Sequence, residues 1–157
     1  MSSPHSTLVI VDLQRAFPVP PALLERLRRY AARFDCRVFT RFVNPPGSLF
    51  RTWLKQKCCA PGSPDTDLLI APVAGDLVLD KTAAYGFSPA QVRELHRRGI
   101  KQVTVCGIDT DACVLGVMFS LFDAGIRCRA KPDYCWSSTG LHRPALMIIA
   151  AQFDVLD

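Results

Sequence analysis

Three side chains far apart in the chain have the types that nucleophilic acyl chemistry requires: the thiol of Cys113, the carboxylate of Asp12 and the ammonium of Lys81. Thiolate is the nucleophilic form of cysteine, and a helix N-terminus or a neighbouring cation lowers a thiol pKa. Cys113 lies in "CGIDTDACV", residues 106–114, where an apolar run passes through two aspartates to a thiol. With Thr110 or Asp111 as N-cap, Cys113 falls in the first turn of a helix, where unpaired N–H groups and the positive dipole end favour thiolate. Asp109 and Asp111 act against this unless capping occupies their side chains. A carboxylate such as Asp12 can take the thiol proton and return it to a leaving amine, while Lys81 holds that carboxylate ionised and steadies developing negative charge. Each residue also has a plainer reading, as a packed thiol, an N-cap aspartate and a solvated lysine.

What separates the two readings is the set of elements that would have to bring these residues together. Leu8-Val9-Ile10-Val11, Val38-Phe39, Leu77-Val78-Leu79 and Val103-Thr104-Val105-Cys106 are short, apolar and rich in β-branched residues, as expected of parallel strands buried on both faces. Helix-period segments lie between them at 22–34, 48–56, 89–98 and 111–124. Residues 127–130 suit a fifth strand, Pro144 can open a last helix to about Gln152, and 153–156 suit a sixth strand. Ser88 with Gln91 makes a capping box, and Gly99 and Gly125 suit left-handed helix exits. The alternation predicts an α/β fold: a three-layer α/β/α, Rossmann-like arrangement with a parallel sheet of five to six strands, built as a single domain over residues 1–157. In such a sheet the C-terminal strand ends share one edge, and sites form there. Asp12 with Gln14, Arg41 with Asn44, Asp80 with Lys81, residues 107–113, and Asp133 all follow strands. The planar fork of Arg41 suits a substrate carboxylate, although a structural pairing with a nearby carboxylate is the more ordinary expectation. Phe17 and Trp53 suit a pocket wall or the core.

The 157 residues carry a formal net charge of +5, and 49% of them are hydrophobic, which suits one folded globular unit. The arginines at 26, 28, 29 and 33 lie opposite the stripe Leu23, Leu27, Tyr30, Ala31 and Phe34, without interleaved aromatics, so a solvated helix face is expected and nucleic acid is not. No apolar run approaches the ~20 residues of a membrane span, and Met-Ser-Ser-Pro-His does not resemble a secretory leader, so the expected setting is cytoplasmic. Seven cysteines, an odd number without CxxC, suit a reduced compartment. The histidines at 5, 96 and 142 stand alone, and no metal or other cofactor is expected.

The order of these elements resembles the isochorismatase-like cysteine hydrolases, which include nicotinamidases and N-carbamoylsarcosine amidohydrolase. Asp12, Gln14 and Phe17 match "DxQxxF"; "TRFVN" spans 40–44; Lys81 pairs with Phe87 in a lysine-to-phenylalanine element, with Tyr85 where a serine is common; residues 106–114 match a glycine-x-x-threonine-x-x-cysteine-valine turn; Asp133, Ser137 and His142 match the segment after the fifth strand. The resemblance implies a triad of Asp12 as general base and acid, Lys81 as electrostatic partner and Cys113 as nucleophile. It implies a cis peptide between Ile108 and Asp109, and an oxyanion hole formed by the N–H groups of Asp109 and Cys113. It further implies metal-independent hydrolysis of a C–N bond in a small amide, carbamoyl or ureido substrate through a thioester, in a homo-oligomer (dimer or tetramer). Nicotinamidases carry an aspartate and histidines for a metal after the second strand, whereas here that place reads Phe42-Val43-Asn44-Pro45-Pro46. The competing reading is a catalytically idle relative that binds a metabolite or protein partner. A dinucleotide-binding domain is disfavoured, because no GxGxxG follows the first strand.

Overall fold

The computed structural model describes residues 7–156; the N-terminal stretch read above for the absence of a leader lies outside them. The order is β1 (Thr7–Val11), α1 (Pro21–Ala31), β2 (Cys36–Val43), α2 (Leu49–Thr52), a 3-10 turn (Pro64–Thr66), β3 (Leu77–Thr82), α3 (Pro89–Arg97), β4 (Gln102–Ile108), a π-helical turn (Thr110–Val114), α4 (Leu115–Asp123), β5 (Arg127–Trp136), α5 (His142–Gln152) and β6 (Asp154–Val155). The six strands form one sheet in the order β3-β2-β1-β4-β5-β6, and every neighbouring pair is parallel. Helices flank the sheet, as the alternating pattern requires.

All five residues of β1 are buried, because it lies between β2 and β4 and is covered by helices. Leu23, Leu27 and Ala31 of α1, Leu95 of α3, Val117, Met118 and Leu121 of α4, and Ala145 and Ile149 of α5 supply the covering side chains. The expected arginine face of α1 is solvated: Arg28 and Arg29 both approach Glu25, at 4.0 and 3.5 Å. Ser88 and Gln91 form the capping box, and Gly99 and Gly125 are left-handed at φ 72° and 73°.

Some boundaries differ from the sequence reading for physical reasons. β3 is an edge strand with alternating burial and is not covered on both faces. The expected helix over 48–56 stops at Thr52, and Lys55 turns left-handed at φ 59°. β5 runs to Trp136, past Lys131, Pro132 and Asp133, because a register shift between Val105 and Gly107 lets Cys135 and Trp136 pair with Gly107 and Ile108.

Connections leave β1 to build β2 and β3 on one side and then cross back to β4, which makes the C-terminal ends of β1 and β4 the topological switch point. Gly107 allows those ends to close. Its φ is 120°, and a Cβ there would lie 2.6 Å from the Val11 nitrogen, its register neighbour. Gly107→Ala is expected to destabilise the fold by about 3 kcal/mol or more, from left-handed strain plus displacement of β1. Urea unfolding checks this, and a midpoint within experimental error of the native one would contradict it.

None of the seven cysteines forms a disulfide. Burial pushes the thiols of Cys59 and Cys135 up to about 12 and that of Cys128 to about 11, and raises Cys106 well above the usual thiol range. Unfolded thiols ionise near pH 8.5, so above that pH the native chain holds more protons than the unfolded one and stability falls as pH rises. Each such thiol contributes a slope of up to about 1.4 kcal/mol per pH unit. Urea titrations at pH 7 to 10 are expected to show this decline beginning near pH 8.5 to 9; a flat profile would contradict it.

Candidate active site

Asp12 is the first residue after β1, and the chain turns there through a left-handed conformation, φ 47°, that aspartate tolerates better than most residues. Thr40 of β2 fixes it at both ends. The Asp12 N–H donates to Thr40 Oγ1 at 3.0 Å, and the Thr40 hydroxyl donates to Asp12 Oδ1 at 2.6 Å. The other carboxylate oxygen accepts from Lys81 Nζ at 2.7 Å, in an ion pair whose side chains are 0% and 2% exposed. Lys81 stands on β3, two strands away, and reaches across β2. The ring of Phe42, its register neighbour, lies 5.6 Å from Nζ, and the ammonium also donates to the Ala84 carbonyl at 3.3 Å.

Cys113 lies in the first turn after β4, within side-chain hydrogen-bonding reach of both Asp12 and Lys81. The chain therefore brings the three sequence-predicted triad residues to one place, at the switch point of the sheet. The peptide between Ile108 and Asp109 is cis, as the resemblance implies. The carbonyl of Asp109 accepts from Ala112 and from Val114, both at 3.1 Å, passing over the N–H of Cys113 between them.

The local structure corrects the expectation of a helix capped by Thr110 or Asp111. The N-cap is Asp109, its side chain does not cap, and the turn is π-helical. Burial raises the Cys113 thiol well above its ordinary range, the Asp12 carboxylate raises it further, and Lys81 only partly offsets them. Burial lowers the Lys81 pKa, yet the Asp12 carboxylate and the Cys113 sulfur outweigh it, leaving Lys81 raised and cationic. The aspartates at 109 and 111 do not act on the sulfur as free charges. Asp109 accepts from the N–H and hydroxyl of Ser138, at 3.0 and 2.7 Å, and Asp111 accepts from Thr139 Oγ1 at 2.9 Å. Between them Thr110 Oγ1 bonds His142 Nδ1 at 2.9 Å. Ser138 and Thr139, after β5, and His142, at the start of α5, thus grip three consecutive residues shortly before Cys113, a long-range pattern with no local sequence signal.

Asp12 and Cys113 open into a cleft of about 140 Å³ lined also by Phe17, Phe42, Phe50, Gln56, Tyr85, Ile108, Asp109 and Ala112. Phe42, Phe50 and Tyr85 form a continuous wall, with ring centroids 4.8 Å apart at each step. Tyr85 reaches this wall because Gly86 and Gly116 pack backbone to backbone: a Cβ on Gly116 would fall 2.6 Å from the Cβ of Tyr85. Of the substrate-contact candidates, Phe17 lines the cleft and two do not. Trp53 is 76% exposed and stands outside it. Arg41 forms a bidentate pair with its register neighbour Asp80, at 2.7 and 3.0 Å, because β2 and β3 place the two side by side. Gln14 is buried in bonds to Phe42 and Thr66, and Asp133 is exposed outside the cleft. Phe42, Phe50, Gln56 and Tyr85 were not assigned to the cleft from the sequence, since a strand aromatic and residues of irregular loops read equally as core or surface. Among the described residues, no group of three or more His, Cys, Asp or Glu could hold a metal ion.

Asp12→Asn removes one cause that raises the Cys113 pKa and leaves buried Lys81 with the sulfur as its nearest anion. The pH midpoint for iodoacetamide alkylation of Cys113, followed by peptide mass spectrometry, is expected to fall relative to the native protein. An unchanged or higher midpoint would show that the carboxylate does not act on the sulfur.

Comparison with known proteins agrees with this architecture. The structure is similar to the pyrazinamidase of Pyrococcus horikoshii in complex with zinc, at 19% identity over 98% of this chain and 99% of that chain, with a TM-score of 0.86. It is similar to an isochorismatase-like hydrolase from Alkaliphilus metalliredigens, at 14% identity over 97% and 94% of the two chains, TM-score 0.85. For the N-carbamoylsarcosine amidase of Thermoplasma acidophilum the values are 22%, 96%, 94% and 0.80. At these identities the likeness is one of fold. The isochorismatase domain model matches residues 6–156, nearly the whole sequence, and the chain belongs to the isochorismatase family.

Proposed function

We propose that the protein hydrolyses the C–N bond of a small amide, carbamoyl or ureido compound through a thioester on Cys113, without a metal ion. The observation that carries this reading is the buried Asp12–Lys81 pair in reach of a thiol at an apolar cleft. An ion pair of this kind is costly to bury and is not an economical way to stabilise a fold. The amidase names of two structurally similar proteins support the same bond class.

In the first step Asp12 takes the Cys113 proton as sulfur attacks the carbonyl carbon, so that no free thiolate has to persist in the resting site. Lys81 remains protonated throughout and keeps the carboxylate a competent base. The N–H groups of Asp109 and Cys113 receive the developing oxyanion. Collapse breaks the C–N bond, the departing nitrogen takes the proton from Asp12, and ammonia or an amine leaves the acyl group on sulfur. Water then attacks the thioester, giving one proton to Asp12; the acid departs and the proton returns to sulfur. The sum is amide plus water to acid plus ammonia or amine. The cleft volume is close to the roughly 150 Å³ of a cavity that admits benzene, which sets the acyl group at about the size of one ring.

Ammonia release from a panel of small amides is expected to fall at least about a thousandfold in Cys113→Ala and in Asp12→Asn. Intact-mass spectrometry of the native protein with a reactive amide is expected to show an added acyl mass that Cys113→Ala lacks. Undiminished hydrolysis in Cys113→Ala would overturn the assignment. Binding of amides without turnover by the native protein would favour the idle relative that uses the same cleft as a binding module.

A further inference from the structure

Two adjacent cysteines, Cys58 and Cys59, stand behind the cleft wall and take no part in the triad chemistry. Phe42, Phe50 and fully buried Cys59 form a small core of their own, and Phe17 and half-buried Cys58 pack against it. All three rings line the cleft. Neighbouring side chains of an extended chain point to opposite sides. Cys59 is instead left-handed, at φ 61°, and the turn leaves its sulfur within side-chain hydrogen-bonding reach of the Cys58 sulfur.

That backbone is clamped by one residue. Asn44 is fully buried; its N–H donates to the Cys59 carbonyl at 2.7 Å, and its Nδ2 donates to the carbonyls of Cys58 at 3.1 Å and Gln56 at 2.9 Å. Each sulfur also has contacts of its own. The Cys58 sulfur accepts from Gln56 Nε2 at 3.5 Å, and the Cys59 sulfur lies 3.9 Å from both Gln14 Nε2 and the Asp65 carbonyl oxygen. Gln14 in turn binds the carbonyl and the N–H of Phe42, at 3.0 and 2.7 Å. The dithiol therefore sits between the loop and the backbone that carries the wall. A disulfide would draw the two sulfurs to about 2.05 Å, off these partners and off the rings. Adjacent residues have Cα atoms only about 3.8 Å apart, less than the roughly 4.4 to 6.8 Å that suits the bond, so the closed form is strained and readily reduced. Such a bond suits reversible control better than structural support.

We infer that Cys58 and Cys59 are a reversible oxidation site for hydroperoxides, and that closing the pair into a disulfide loosens the aromatic wall of the cleft. The step is a two-electron exchange. The half-buried Cys58 sulfur takes one oxygen from the hydroperoxide and becomes a sulfenic acid, releasing an alcohol, or water from hydrogen peroxide. The Cys59 sulfur then attacks the Cys58 sulfur; the S–O bond breaks, and the hydroxyl leaves with the Cys59 proton as water. The sum is two thiols plus hydroperoxide to disulfide, alcohol and water. Burial, followed by the Cys58 sulfur, pushes the Cys59 thiol up to about 12, which keeps it protonated until that attack and leaves Cys58 as the first target. The inference holds for a binding cleft as well as for a hydrolytic one.

No lysine or arginine lies between Lys57 and Lys81, so trypsin releases residues 58–81 as one peptide whose only cysteines are this pair. The native protein is treated with hydrogen peroxide, alkylated with iodoacetamide in denaturant and digested. The peptide is expected to be two hydrogens lighter and free of alkyl groups, and dithiothreitol after the peroxide is expected to restore alkylation at both cysteines. A peptide that still takes two alkyl groups, or that gains oxygen in place of a disulfide, overturns the oxidation site. The wall is read through Cys113. On the fraction of Cys113 that peroxide leaves unoxidised, alkylation in the folded protein is expected to be about threefold or more faster once the pair is closed. In Cys58→Ser and Cys58→Ala that rate is expected not to respond to peroxide. An equal rate with the pair open or closed, or the same response in these variants, overturns the coupling to the cleft. The peptide mass is read on the native chain, so it stands whether or not the variants fold. None of these readouts uses turnover, so the inference and the amide-hydrolase reading fail separately.

Discussion

The ion pair between Asp12 and Lys81 is the constraint around which the rest of the molecule is arranged. Removing two charges from water costs several kcal/mol per ion, recovered only when geometry and additional hydrogen bonds are good. The fold meets that condition from three strands at once. β1 supplies the carboxylate, β2 supplies the hydroxyl of Thr40 and the ring of Phe42, and β3 supplies the ammonium. Neither charge can be moved without leaving the other buried and unpaired, so the strands at this edge are locked in register by electrostatics as well as by their backbone ladders.

Under the proposed mechanism, the same pair means that the thiol need not be ionised at rest. A permanently charged sulfur beside Asp12 would place two anions around a single cation in a poorly solvated site. In the proposed reaction, keeping the proton on sulfur until a carbonyl arrives avoids that repulsion. The grip of Ser138, Thr139 and His142 on residues 109–111 holds the turn that leads to Cys113.

Much of this was readable before any coordinates. β1 and β4 announce themselves as continuous apolar runs because both lie in the interior of the sheet, and Asp12 and Cys113 stand out because they interrupt such runs. Lys81 was legible for the same reason, although β3 is an edge strand and the lysine reaches its partner only by crossing β2. Arg41 and Trp53 were drawn toward the site by residue type, whereas the register gives Arg41 an adjacent carboxylate and the early stop of α2 leaves Trp53 in solvent. Gln56 gave no signal, since its place in the cleft depends on how Asn44 folds a loop that composition marks only as irregular. The π-helical turn and its three clasps are likewise products of tertiary contact, joining residues 28 to 32 positions apart.

The contact between Gly86 and Gly116 ties the backbone under Tyr85 to the first turn of α4, immediately after the nucleophile turn. Position 85 is therefore a fixed mounting point whose bearing to the sulfur does not depend on which side chain it carries. Exchange of the tyrosine would remodel the wall it shares with Phe50, whereas any residue larger than glycine at 86 or 116 would displace the backbone that carries it.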